Sequence, residues 1–340
     1  MNPHILKQLI NNNPSFYTLY QLYCSKQPTT AQMADWFADV DFEALPPEVS
    51  GMAANLSAAH QFAGAPQHLI PRLRGIIKYC HTLNLGTIAG LCALGKQYNQ
   101  AGISMLLMGA TALQIKHPEH PQRQLWQAEL GITPSDFPQA IALATEAGFT
   151  VQENEFSAIV RNGNSQCIIL YKLSPDTYVH HDTAPVITGG VSFLMPSDAA
   201  LFVSLAEAAF RTLQQSAPEK QLLTRLVHLH HAISSGVLWD TAAAIATKRS
   251  TANQMRLILE LYTLLVPDAV APDILESFGS DSRAERLATT LLTYRTLPQN
   301  RRKLRRLWLS VKIRQADRPY TAWYKFFLRL FRAGLHRITS

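Results

Sequence analysis

The sequence predicts an α+β protein: a small mixed α/β core at 101–175, between an N-terminal helical region at 1–100 and a C-terminal helical region at 176–340. Three observations predict it. Apolar residues in the first hundred positions recur at three- and four-residue steps. From Ile103 short apolar runs alternate with helical segments, and from Met195 the helical spacing returns.

The first region reads as helices over ILKQLINN, TAQMADWFADV, EVSGMAANLSAAHQF and the long stretch from Leu69 to Ala101. In the last, Leu73, Ile76, Ile77 and Cys80 fall on one face, as burial of a helix requires, and Gly86 is either a break or an interior residue. The core follows in the order βαβαββ: ISMLLM as strand, ATALQIK as helix, LWQAELGI as strand and SDFPQAIALATEAGF as helix. Then come EFSAIVRNG and QCIILYKL, strands joined through the turn residues Asn162, Gly163 and Asn164. Ser135 suits a cap and Pro138 a first helical turn. Residues 174–196 read as loop, with Thr188–Gly190 as a turn. MPSDAALFVSLAEAAFRTL, VLWDTAAAIATKR and QMRLILELYTLLV are amphipathic helices.

Composition narrows the functional classes. Of the 340 residues 47% are hydrophobic and 16% charged, and no apolar run reaches the roughly 18 residues of a membrane span. The N-terminus shows none of the basic, apolar and small-residue segments of a secretory signal, so a cytoplasmic location is expected. Cys24, Cys80, Cys92 and Cys167 show no C-x-x-C spacing, so buried free thiols are expected instead of a zinc ribbon or redox pair. No G-x-S-x-G elbow, phosphate-binding P-loop or dinucleotide G-x-G-x-x-G occurs. The charge is uneven: residues 301–340 hold 12 Lys and Arg against Asp317, a net +11, while the first 300 carry a net −4.

The stretch GISMLLMGATAL joins a strand to a helix through Gly109. Strand, glycine turn, helix and an acidic second strand form a known frame for nucleotidyl transfer. The glycine lets backbone N–H groups approach a triphosphate, and carboxylates two apart on a strand share a face and hold Mg²⁺ with a third from a later strand.

On LLMGATAL, RQLWQAELGI, ATEAGF and CIILYKL the sequence resembles the bacterial uncharacterised nucleotidyltransferases of the DNA polymerase β-like superfamily. ADWFADV, MPSDAALFVSLAEAAF, LLTRLVHLHH and VLWDTAAAIA fit the same order, so the resemblance extends to about residue 275. It implies a nucleotidyltransferase-like core, with Gly109, Ala110, Arg123 and Gln127 at the nucleotide and Glu129 as catalytic carboxylate and metal ligand. The departures fall on the chemistry: Met108 stands for the motif lysine, Gln127 for the first carboxylate and Ile168 for the third, leaving Glu129 alone. One carboxylate does not hold two Mg²⁺ ions.

The main expectation is therefore a degenerate nucleotidyltransferase-fold protein that needs no cofactor. It would bind a peptide, a nucleotide or a partner enzyme as an accessory of a biosynthetic pathway. The alternative is an active enzyme using Mg²⁺ and an NTP through a divergent site.

Other acidic and histidine groups are expected to be structural or solvated. Asp39 and Asp41 end a helix, Glu153 and Glu155 sit on an edge strand, and His117, His120, His180 and His181 are water-exposed loop residues. His228 and His231 share a helix face and suit a helix interface. The basic end interleaves arginines with Trp308, Trp323, Phe326, Phe327 and Phe331, a pattern for packing on the body or for docking to an anionic membrane surface, with nucleic acid a weaker candidate.

Overall fold

The computed structural model describes residues 14–25, 28–118, 125, 127–163, 166–173, 182–214, 219–267 and 269–296. Arg123, His120, Asn164, His180, His181, the segment ILKQLINN and the basic end 301–340 lie outside the described residues.

The chain divides into two units. The larger, Ser15–Leu205 with Leu223–Leu238, contains a seven-stranded mixed sheet of order β3-β4-β5-β2-β1-β7-β6. Its strands are β1 (Leu106–Leu107), β2 (Ala128–Ile132), β3 (Thr150–Glu153), β4 (Ser157–Asn162), β5 (Gln166–Lys172), β6 (Thr183–Thr188) and β7 (Val191–Pro196). The helices, in chain order, are α1 (Pro14–Cys24), α2 (Thr30–Ala38), α3 (Pro47–Ala59), α4 (Ile70–Gln100), α5 (Gly109–Lys116) and α6 (Phe137–Glu146). After the sheet come α7 (Asp198–Leu213) and α8 (Glu219–Ser234), of which residues 198–205 and 223–234 belong to this unit. The architecture is α+β, as the sequence predicts.

Local chemistry sets the helix ends. Thr29 caps α2 in a capping box: its hydroxyl accepts from the Gln32 amide at 3.2 Å, and its own amide donates to Gln32 Oε1 at 2.9 Å. Helix α4 runs unbroken through Gly86, with Leu73 and Cys80 buried and Ile76 and Ile77 half-buried. It packs closely on the sheet, since a Cβ at Gly95 would stand 2.8 Å from Val191 Cγ1 and 3.2 Å from Phe193 Cζ. Tyr98 Oη donates to the Ala140 carbonyl at 2.9 Å and ties α4 to α6. Ala128, Leu130, Ile168, Leu170, Ala158 and Val160 form the apolar sheet face on this side.

Three strands depart from the sequence expectation. Residues 183–196, read as loop, form the β6–β7 hairpin, whose turn is Gly189 and Gly190, both at positive φ. The hairpin joins the sheet through the parallel β7–β1 pair, so the sheet continues past residue 175. Strand β1 is only two residues of the predicted ISMLLM run.

The smaller unit takes Ala206–Leu222 and the described residues from Trp239 onward: α9 (Trp239–Arg249), α10 (Ala252–Leu265), α11 (Pro272–Ser277) and α12 (Asp281–Thr296). Arg256 on α10 is buried and donates to the Leu275 and Gly279 carbonyls at 3.1 and 2.5 Å, fixing the α11–α12 connection. Glu207 lies 3.5 Å from Arg249.

All four cysteines are free, and Cys24, Cys80 and Cys92 are buried. Burial pushes the Cys24 thiol up to about 12, partly offset by a hydrogen bond with Tyr20, and also raises Cys80 and Cys92. Unfolded thiols ionise near pH 8.5. These groups thus contribute stability that is full below that value and lost as pH rises toward about 12. The urea midpoint is expected to fall between about pH 8 and about pH 10, and a chain with the three thiols replaced by alanine should lose that part of the fall.

Candidate functional site

The site is built where β1 hands over to α5. Gly109 opens the helix at φ +54, a left-handed conformation that side-chain-bearing residues rarely adopt. Met108, the preceding residue, is extended and provides no side-chain cap. Its amide donates to the Glu129 carbonyl at 3.0 Å, and the Glu129 amide donates to Thr111 Oγ1 at 2.9 Å. The first turn of α5 is thereby fastened to β2.

Glu129 lies on a central strand buried along its whole length, and the residue is 7% exposed. A buried carboxylate needs partners that offset its lost hydration. It has them in this unit. Gln127 Nε2 donates to Oε1 at 3.2 Å, and Arg225 Nη1 on α8 stands 3.9 Å from the same oxygen. The other oxygen fills the position of the missing Gly109 side chain: a Cβ there would overlap Oε2 and lie 3.0 Å from Cδ. The carboxylate thus sits beside the first residue of α5, where the helix dipole favours negative charge.

Helix α1 holds α8 next to Arg225 and further along its C-terminal side. Tyr20 Oη of α1 donates to the Leu226 carbonyl at 3.0 Å, and Tyr23 Oη lies 2.9 Å from His231 Nε2 with the two rings stacked. His231 therefore serves the helix interface that its position in sequence predicts. Beyond Glu129 the same sheet face becomes apolar. A Cβ at Gly131 would overlap Leu173 Cδ1 and lie 3.1 Å from Met108 Sδ, so Met108 packs toward Gly131.

Helix α4 also positions this strand. Asn84 Oδ1 accepts from the Leu125 amide at 2.7 Å and Thr87 Oγ1 donates to the Leu125 carbonyl at 3.2 Å, clamping the chain just before β2.

Of the residues named from sequence, Gly109, Gln127 and Glu129 come together. Ala110 is half-buried in the first turn of α5, and Arg123 is outside the described residues. One assignment is corrected by register. Ile168 pairs with Ala128 and points to the opposite face, and the β5 residue beside Glu129 is Ile169. Neither is a carboxylate.

Glu153 bonds Lys172 at 2.9 Å, a partner on the face opposite Glu129, and Glu155 is an exposed turn residue. Asp41 accepts from the Glu43 amide at 3.1 Å at a helix start. His117, expected in water, is half-buried, 3.5 Å from Asp198, which also takes Lys116 at 2.9 Å.

Arg225 and Thr111 were not singled out by the sequence. The available signal for Arg225 is one cation inside the apolar run LLTRLVHL.

These donors do not fit Mg²⁺. Oε1 of Glu129 is engaged by an amide N–H and faced by a guanidinium, groups that donate hydrogen bonds and do not ligate cations. Among the described residues no group of three or more His, Cys, Asp or Glu could hold a metal ion.

Fold and site together define an α+β protein with a buried acidic central strand set against a helix-opening glycine. The chain matches no protein-family model and no curated protein. Solved structures that align with it include the antibiotic-resistance factor ANT(2'')-Ia, at 13% identity and TM-score 0.38, covering 50% of this chain and 92% of that one. An antigenic nucleotidyltransferase-like protein from Paracoccidioides brasiliensis aligns at 13% identity and TM-score 0.33, covering 54% and 94%. A tRNA-processing enzyme aligns at 14% identity and TM-score 0.26, covering 69% and 71%. These likenesses are distant in both sequence and shape.

Among the described residues no helix is long and apolar enough to cross a membrane.

Proposed function

We propose that this chain is a nucleotidyltransferase-fold protein whose metal site has degenerated, and that it acts by binding, as an accessory protein in a biosynthetic pathway. One observation carries the reading: Glu129, the carboxylate at the glycine turn, faces Arg225 and Gln127, and among the described residues no group of three or more His, Cys, Asp or Glu could hold a metal ion. A polyphosphate arriving beside Gly109 meets this carboxylate with no Mg²⁺ to bridge them, and Met108 offers no cation where the resembled family carries lysine. The ligand is then a peptide, a nucleotide held without metal, or a partner enzyme.

Thermal melting of the full chain with each NTP, with and without Mg²⁺ or Mn²⁺, tests this. The expected result is no stabilisation that requires metal. A metal-requiring rise of more than about 3 °C would support the active-enzyme alternative, in which Glu129 is the metal ligand.

The net +11 of residues 301–340, interleaved with aromatics, favours a second binding role at an anionic membrane surface. Phosphatidylserine vesicles should sediment the intact chain and lose most of it when the chain is cut after residue 300. Equal sedimentation of both would dismiss the basic end as an anchor.

A further inference from the structure

We propose that Arg225 supplies at Glu129 the positive charge that a divalent cation would otherwise bring, so that the protein completes this site electrostatically without metal. The inference rests on the reading of a degenerate metal site and adds to it the residue that made the metal dispensable. The Glu129 side chain is 9% exposed and that of Arg225 26%, so the pair is screened far less than a surface ion pair. Arginine remains charged at every physiological pH, which makes the neutralisation permanent. Oε1 is bonded by Gln127 and faced by Arg225, and Oε2 lies over Gly109 at the positive end of α5. Contacts of α1 with Leu226 and His231 hold the stretch of α8 that carries the guanidinium. A cation entering here meets a like charge, and a polyphosphate must first displace the carboxylate.

The test uses the full chain as wild type, Arg225→Met, Arg225→Lys, Glu129→Gln and the double variant Glu129→Gln/Arg225→Met. Each is melted in millimolar MnCl₂ and in chelator at equal ionic strength. Wild type and Arg225→Lys are expected to melt alike in both. Arg225→Met, with a buried carboxylate left uncompensated, should melt lower by about 4–8 °C and recover part of the loss in Mn²⁺. The double variant, with no charge to compensate, should melt above Arg225→Met and ignore Mn²⁺.

The inference is overturned if Arg225→Met melts like wild type, or if Arg225→Met and the double variant melt equally low with no response to Mn²⁺. Should Arg225→Met yield no soluble protein, recovery of folded chain by adding Glu129→Gln supports the inference and failure to recover overturns it. Stabilisation of the wild type by Mn²⁺ that vanishes in Glu129→Gln would instead contradict the degenerate-site reading itself. An uncoupled Arg225 leaves that reading standing.

Discussion

Replacing Gly109 with alanine is expected to lower the stability of the chain by about 2–4 kcal/mol, read as a shift in the urea midpoint at unchanged slope. Two effects add. The φ of +54 is left-handed, a conformation that costs a Cβ-bearing residue about 1–2 kcal/mol. The new methyl would also overlap Glu129 Oε2, and the carboxylate gives way only by leaving Gln127 and Arg225. Glu129→Ala in the same chain removes the obstruction, so Gly109→Ala should then cost only the backbone share. A Gly109→Ala protein as stable as the wild type would mean that the carboxylate does not occupy this position.

Arg225→Met is expected to cost about 1–3 kcal/mol, below the range for a fully buried pair because the guanidinium is partly exposed and 3.9 Å from its partner. Much of this loss belongs to Glu129. A double-mutant cycle with Glu129→Gln should therefore return a coupling of about 1 kcal/mol, since the two side chains belong to one network. Coupling near zero in urea denaturation would mean that Arg225 contributes packing alone.

The layout of the core was legible because its signals are local. An apolar run ending in Gly109, a helical spacing after it and the Asn-Gly turn before β5 each arise within a few residues. Glu129 was legible only through resemblance, and its burial was not, because burial of one strand from both sides depends on distant helices.

Register was not legible. Ile168 and Ile169 are both apolar, so nothing in their own stretch says which shares a face with Glu129, and a slip of one residue reverses the answer. The β6–β7 hairpin hid for a related reason: TAPVIT is an edge strand with a proline and mostly exposed or half-buried side chains, which gives no clean alternation. Arg225 was hidden by distance along the chain. On its own helix it reads as an ordinary polar position, and only the folded sheet brings β2 to it.

Mn²⁺ binding followed by electron paramagnetic resonance on the full-length wild type and on Glu129→Gln addresses the central claim most directly. The two proteins are predicted to leave the same fraction of Mn²⁺ free across a millimolar titration, with or without ATP. A bound Mn²⁺ in the wild type that disappears in Glu129→Gln would contradict the account, because Glu129 would then be a working metal ligand.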